Sequence, residues 1–174
     1  MEQRLNEIDD AEALSDFYLR NKDHLQPWEP ERDPDYHSVN SWELRLQDRM
    51  VEFETGTSAH FLTFEPSTSC VVPICSLTNI VRGPFQAGNL GYAVCKSHEG
   101  RGLMKELCQH VIEFAFDNLH LNRVMANYMP RNLRSEALLN YLGFESEGLA
   151  RKYLCINGKW EDHVLTSLIN PAHT

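Results

Sequence analysis

The chain lacks any run of 18 apolar residues, so no helix that spans a bilayer is expected. Its opening residues, Met1-Glu2-Gln3-Arg4-Leu5-Asn6-Glu7, contain no apolar stretch, and a secretory signal is not expected. The five cysteines (Cys70, Cys75, Cys95, Cys108 and Cys155) form no C-x-x-C pair, and the eight histidines show no H-x-x-x-H spacing. Zinc, other metals and a disulfide framework are therefore not expected; free buried thiols in a reducing cytoplasm are. Positive charge is scarce: 16 Lys and Arg stand against 25 Asp and Glu, a net charge of −9. Such a surface does not hold nucleic acid non-specifically, but it suits a basic partner such as a cationic peptide end. Repeats, low-complexity tracts and linkers are also missing, so residues 1–174 are expected to form one domain.

What remains is ordinary for a globular protein: 42% apolar and 24% charged residues, enough to build a core. Residues Arg4 to Ile8 suit a short edge strand, and Asp9 or Asp10 suits the cap of a helix reaching about Asn21. Pro27, Pro30 and Pro34 exclude regular helix or sheet between Leu25 and Pro34. Ser38 caps a helix from Trp42 to Glu54, ended by Gly56. Strands follow at 60–64, at 71–81, where Pro73 suggests an edge or an irregular start, and at 88–95. The longest amphipathic helix is expected from Leu103 to about Leu119. A strand at 123–128, a helix at 133–141 and two strands at about 145–155 and 160–169 complete the chain, the last pair joined by Asn157-Gly158, a strong hairpin signal.

One stretch stands out, Gly100-Arg101-Gly102-Leu103, where a strand passes through two glycines into the long helix. The first N–H groups of a helix have no intrahelical partner and carry partial positive charge. Glycines leave them open to an anion. A turn built only for tight packing would carry the same residues.

The order strand, G-x-G, long helix, strand, Asn132-Leu133-Arg134-Ser135, helix, Leu142-Gly143-Phe144 resembles the GNAT superfamily of N-acetyltransferases. Four further segments resemble its RimJ-like branch: Leu25-Gln26-Pro27-Trp28-Glu29-Pro30, Asn79-Ile80-Val81-Arg82-Gly83, Met125-Ala126-Asn127-Tyr128-Met129-Pro130 and Gly158-Lys159-Trp160-Glu161-Asp162-His163-Val164. That branch usually has a longer strand before the first helix, where this sequence has only a stub. The resemblance implies an α/β (α+β) GNAT fold, with a central mixed, mostly antiparallel sheet splayed between the fourth and fifth strands and flanked by helices. It implies acetyl-CoA as cosubstrate, with no metal. It also implies a cytoplasmic enzyme acting on the N-terminal alanine of a ribosomal protein, the fifth of the small subunit, with the ribosome or its assembling small subunit as a possible partner. A small-molecule amine as acceptor and a non-catalytic CoA-binding assembly factor remain alternatives, as do monomer and homodimer.

Residue by residue, the resemblance places pyrophosphate on the backbone from Gly100 through Arg101, Gly102 and Leu103 to Met104, with Glu99 and Arg101 lining the turn. Pantetheine would lie along Val94 as if it were a neighbouring strand, and the Val94 N–H is the candidate oxyanion donor. Asn132 would contact the cosubstrate and Ser135 would be the proton donor to the leaving thiolate, although both also suit simple helix capping. The family's usual carboxylate position is Asn89 and its usual tyrosine position is Leu139; neither can serve. Glu29 and Asp162 are left as candidate bases, and Trp28, Glu29, Tyr128 and Trp160 as the acceptor-binding set, with Asp162 beside them.

Overall fold

The alternating segments of the sequence build one seven-stranded sheet of order β1-β2-β3-β4-β5-β7-β6. The structure, a computed structural model, describes Met1 and residues 3–173. The N-terminal stub forms a three-residue edge strand, β1 (Gln3–Leu5), antiparallel to β2 (Ala59–Phe64). Strands β3 (Val71–Val81) and β4 (Ala87–Val94) continue the antiparallel order. Strand β5 (Arg123–Tyr128) runs parallel to β4, and the hairpin of β6 (Glu145–Ile156) and β7 (Lys159–Ile169) closes the far side. Asn157 (φ 46°) and Gly158 (φ 75°) both take the left-handed conformation that a tight two-residue hairpin requires.

Helices α1 (Ala11–Arg20) and α3 (Val39–Glu54) cover one face of the sheet. Phe17, Leu14, Trp42 and Leu46 from these helices pack with Leu62, Val71 and Val72. Helix α4 (Leu103–Glu113) covers the other face, where Leu107 and Val111 meet Phe61, Leu77 and Val124. Adjacent residues of β2, Phe61 and Leu62, serve opposite cores, as the two-residue period of a strand demands. Fully burying each such side chain contributes on the order of 1.5–3 kcal/mol. Helix α5 (Leu133–Tyr141) adds Leu139 to the α4 side.

Several local expectations need correction. Asp10 stands at the cap position of α1, but its carboxylate turns back to the Arg4 guanidinium at 2.7 and 2.9 Å and to the Glu7 N–H at 2.7 Å. A charged, bidentate partner outcompetes a capping bond. Helix α3 starts at Val39, directly after the Ser38 cap, and at 16 residues it is a longer α-helix than α4. The α4 segment changes after Glu113 into a π-turn over Phe114–Asn118. Between the prolines the chain still makes short turns, α2 (Lys22–Leu25) and a 3-10 turn over Gln26–Trp28, because Pro27 falls in the first turn, where no N–H is needed. Strand β3 is interior, yet its start is irregular: the β2–β3 register shifts between Leu62 and Phe64, next to Pro73. All five cysteines are free; Cys75, Cys95 and Cys108 are buried, whereas Cys155 is exposed and Cys70 half-buried. No helix among the described residues is long and apolar enough to cross a membrane.

Candidate active site

Strands β4 and β5 pair only where Ala87, Gly88 and Asn89 face Arg123, Val124 and Met125. Past that point Leu90–Val94 and Ala126–Tyr128 have no ladder between them, so the sheet splays between its fourth and fifth strands. A cavity of about 420 Å³ lies along this opening. Tyr92, Ala93 and Val94 of β4 line it, together with Asn132, which caps α5, and Ser135 and Leu138 of α5. Glu99, Gly100, Gly102, Leu103 and Met104 close one end, while Leu25, Trp28 and Glu29 form a further wall.

The glycine end is made of backbone. Gly100 (φ 74°) and Gly102 (φ 81°) are both left-handed, and nothing stands within 4 Å of where a Cβ would sit. Gly102 is the cap residue of α4 and supplies no side chain to its first-turn N–H groups. Those donors and the positive end of an eleven-residue α-helix are left for an anion. Glu99 beside them pairs with Arg134 of α5 and lies 3.4 Å from His24 Nε2. Burial lowers the His24 pKa, partly offset by its hydrogen bond to the Val94 backbone.

The opposite end is made of side chains. Asn132 caps α5, its Oδ1 accepting the Ser135 N–H at 3.2 Å. The Ser135 hydroxyl lies 2.6 Å from the Tyr92 hydroxyl. Burial pushes the Tyr92 phenol well above its ordinary pKa, so it stays protonated. Glu29 is half-buried, and burial raises its carboxyl to about 7, with Arg32 pulling weakly the other way. No donor among the described residues pairs with that carboxylate. Its backbone, by contrast, is clasped. The Asn157 N–H donates to the Glu29 carbonyl at 2.9 Å. Arg131 donates to the Pro27 carbonyl at 3.2 Å and lies over the Trp28 ring at 5.0 Å.

Four other residues expected at the site do not line the cavity. Arg101 is exposed at the turn. Tyr128 is buried, donating from its hydroxyl to Glu136 at 3.3 Å. Trp160 is 65% exposed on the hairpin, and Asp162 accepts the Lys152 N–H at 2.8 Å across it. Leu139 is core, and Tyr141 is 61% exposed outside the cavity lining, with Lys105 over its ring. Sequence reasoning missed Tyr92, His24 and Arg134. Tyr92 had a signal, a polar aromatic on the strand entering the glycine turn; His24 had none. No group of three or more His, Cys, Asp or Glu side chains among the described residues is arranged to hold a metal.

A family model for the acetyltransferase (GNAT) domain matches residues 4–145. The ribosomal protein uS5-alanine N-acetyltransferase of Escherichia coli (strain K12) is 41% identical over 165 residues, which cover 95% of this chain and 85% of that protein. Ribosomal-protein-S5-alanine acetyltransferase from Vibrio fischeri has the same fold with a TM-score of 0.96 at 37% identity, covering 99% of this chain and 94% of that one. Mycobacterium smegmatis RimJ, solved in complex with CoA-disulfide, matches with a TM-score of 0.91 at 29% identity, over 98% of this chain and 82% of that one. The domain match begins in β1 and runs through every element that borders the cleft, so the chain belongs to the GNAT acetyltransferase family.

Proposed function

We propose that the protein transfers acetyl from acetyl-CoA to the N-terminal α-amine of a ribosomal protein, with alanine first and the fifth small-subunit protein as the natural acceptor. The acceptor is inferred from the relatives' named activity over nearly the whole chain. The observation that carries the chemistry is that one cavity brings the bare glycine turn, the splayed end of β4, Ser135 and Glu29 together. The cavity fits a long thioester: an anion site made of N–H groups at one end and a strand edge without its neighbour along the side. Acetyl-CoA supplies the activated acetyl group.

The chain's own residues then have distinct tasks. Gly100, Gly102 and the first turn of α4 hold the pyrophosphate, and Val94 aligns the thioester arm. Trp28 and Glu29 receive the amine. An α-amine has a pKa of about 7.7–8.0, so roughly a tenth is already neutral at pH 7, against a few in ten thousand for a lysine side chain. A modest base suffices, and a carboxylate raised to about 7 is well matched to it. Glu29 takes the proton the attacking amine must lose, while Ser135 faces the departing sulfur as its donor. Asp162, bonded across the hairpin, is the less suitable base. The work belongs in the cytoplasm, where ribosomal proteins are made and assembled.

Incubation with acetyl-CoA and short Ala-initiated peptides should add one acetyl mass to the α-amine. Polyamines should compete poorly. Acetyl-CoA binding without acetylation of any N-terminal amine would overturn the proposal.

A further inference from the structure

We infer that Tyr92 is a positioning residue for acetyl transfer: its hydroxyl fixes the Ser135 hydroxyl so that the Ser135 O–H is directed at the leaving sulfur. This rests on the reading of Ser135 given above.

A serine in the first turn of a helix commonly spends its hydroxyl on the helix itself. Here that duty falls to Asn132, whose Oδ1 takes the Ser135 N–H at 3.2 Å. The Ser135 side chain is thereby released, and its hydrogen bond is to Tyr92 at 2.6 Å, a short distance even for two hydroxyls. The contact joins β4 to α5, two elements that both line the cleft, across 43 positions of sequence. Tyr92 is the one tyrosine among the residues lining the cavity.

A serine hydroxyl has three staggered positions and rotates freely about its C–O bond. With Tyr92 donating to Ser135 Oγ, the serine's own hydrogen is left for the sulfur. The step balances without a proton leaving either hydroxyl. The amine nitrogen forms its bond to the acetyl carbon and loses a proton to Glu29. The carbon–sulfur bond breaks with its electron pair on sulfur, and the Ser135 O–H stabilises that charge by a hydrogen bond. Glu29 later returns its proton to solvent, and the thiolate takes one up. Burial keeps the phenol protonated, so Tyr92 retains the hydrogen that this arrangement has it donate to Ser135 Oγ.

The test is a double-mutant cycle of wild type, Tyr92→Phe, Ser135→Ala and the double variant, each first titrated with CoA to show an intact cosubstrate site. The phenylalanine keeps the ring and removes only the hydroxyl. Tyr92→Phe is expected to lower kcat about tenfold, the scale of one hydrogen bond to a developing charge, and to leave the KM for acetyl-CoA within about twofold. Added to Ser135→Ala, it should cost nothing further. A packing role would instead slow both backgrounds equally, and that result overturns the inference while leaving Ser135 in place. A Ser135→Ala enzyme as fast as wild type would remove the Ser135 reading, and the role of Tyr92 with it.

Discussion

The two ends of the cleft are built from different materials. At the glycine end the groups proposed to bind are main-chain N–H donors of one short segment, fixed by two left-handed glycines and the start of α4. At the proposed acceptor end they are side chains drawn from separate parts of the chain: Glu29 from the proline-rich loop, Tyr92 from β4 and Ser135 from α5. The first end depends on backbone conformation. The second depends on tertiary clasps such as Asn157 to Glu29 and Arg131 to Pro27. A site of the first kind holds a ligand; a site of the second kind can shift a pKa.

If that division is real, damage at one end should leave the other intact. The largest effect is expected for Glu29→Gln. It should reduce kcat/KM for an Ala-initiated peptide by about 10²–10³, the range of general base catalysis, with CoA affinity unchanged by calorimetric titration. At the other end, Gly102→Val forces a branched side chain into φ 81° beside the anion site. The Kd for CoA should rise about ten- to a hundredfold by the same titration, while the acid limb of the pH profile stays where it is.

A smaller effect concerns stability. The folded Glu29 carboxyl sits at about 7 against an ordinary 4.5, so between those values the folded protein binds more protons than the unfolded chain. Stability therefore falls as pH rises through that window, and the cost is fully present above it. Glu29→Gln should thus be more stable than wild type at pH 8, by about 1–2 kcal/mol in a denaturant titration, and close to equal at pH 4. An enzyme variant that is less active and more stable is the signature of a carboxylate held where it functions rather than where it is comfortable. The smallest effect is expected for Glu99→Gln. Removing a negative charge beside the anion site and releasing Arg134 should tighten CoA binding a few-fold at low salt, with the gain shrinking as salt is added.

The same division explains what could be read from the sequence. Strand and helix periods, the Ser38 cap and the Asn157-Gly158 hairpin are local signals, and β3, β5 and α5 lie where those signals put them. The shape of the glycine turn was legible because it too is local, two glycines ahead of a helix. The splay could be anticipated only through family resemblance, since nothing within β4 or β5 alone announces that their ladder stops at Asn89 and Met125. Asp162 and Trp160 looked like site residues because they stand in a motif, yet the hairpin carries one across to Lys152 and leaves the other in solvent. His24 came to light only in three dimensions, and the sequence signal of Tyr92 gained its meaning there. The contact that marks each is with the Val94 backbone for His24 and with a neighbour 43 positions away for Tyr92.

The most direct measurement is the pH dependence of kcat/KM for an Ala-initiated peptide at saturating acetyl-CoA. Both Glu29, near 7, and the free peptide amine, about 7.7–8.0, must be deprotonated, so wild type should rise with a limiting slope of about two below pH 7 and bend to about one before its plateau. Glu29→Gln should rise with a slope of about one, governed by the amine alone. A wild-type profile already of slope one, with the amine's pKa as its sole inflection, would contradict Glu29 as the base.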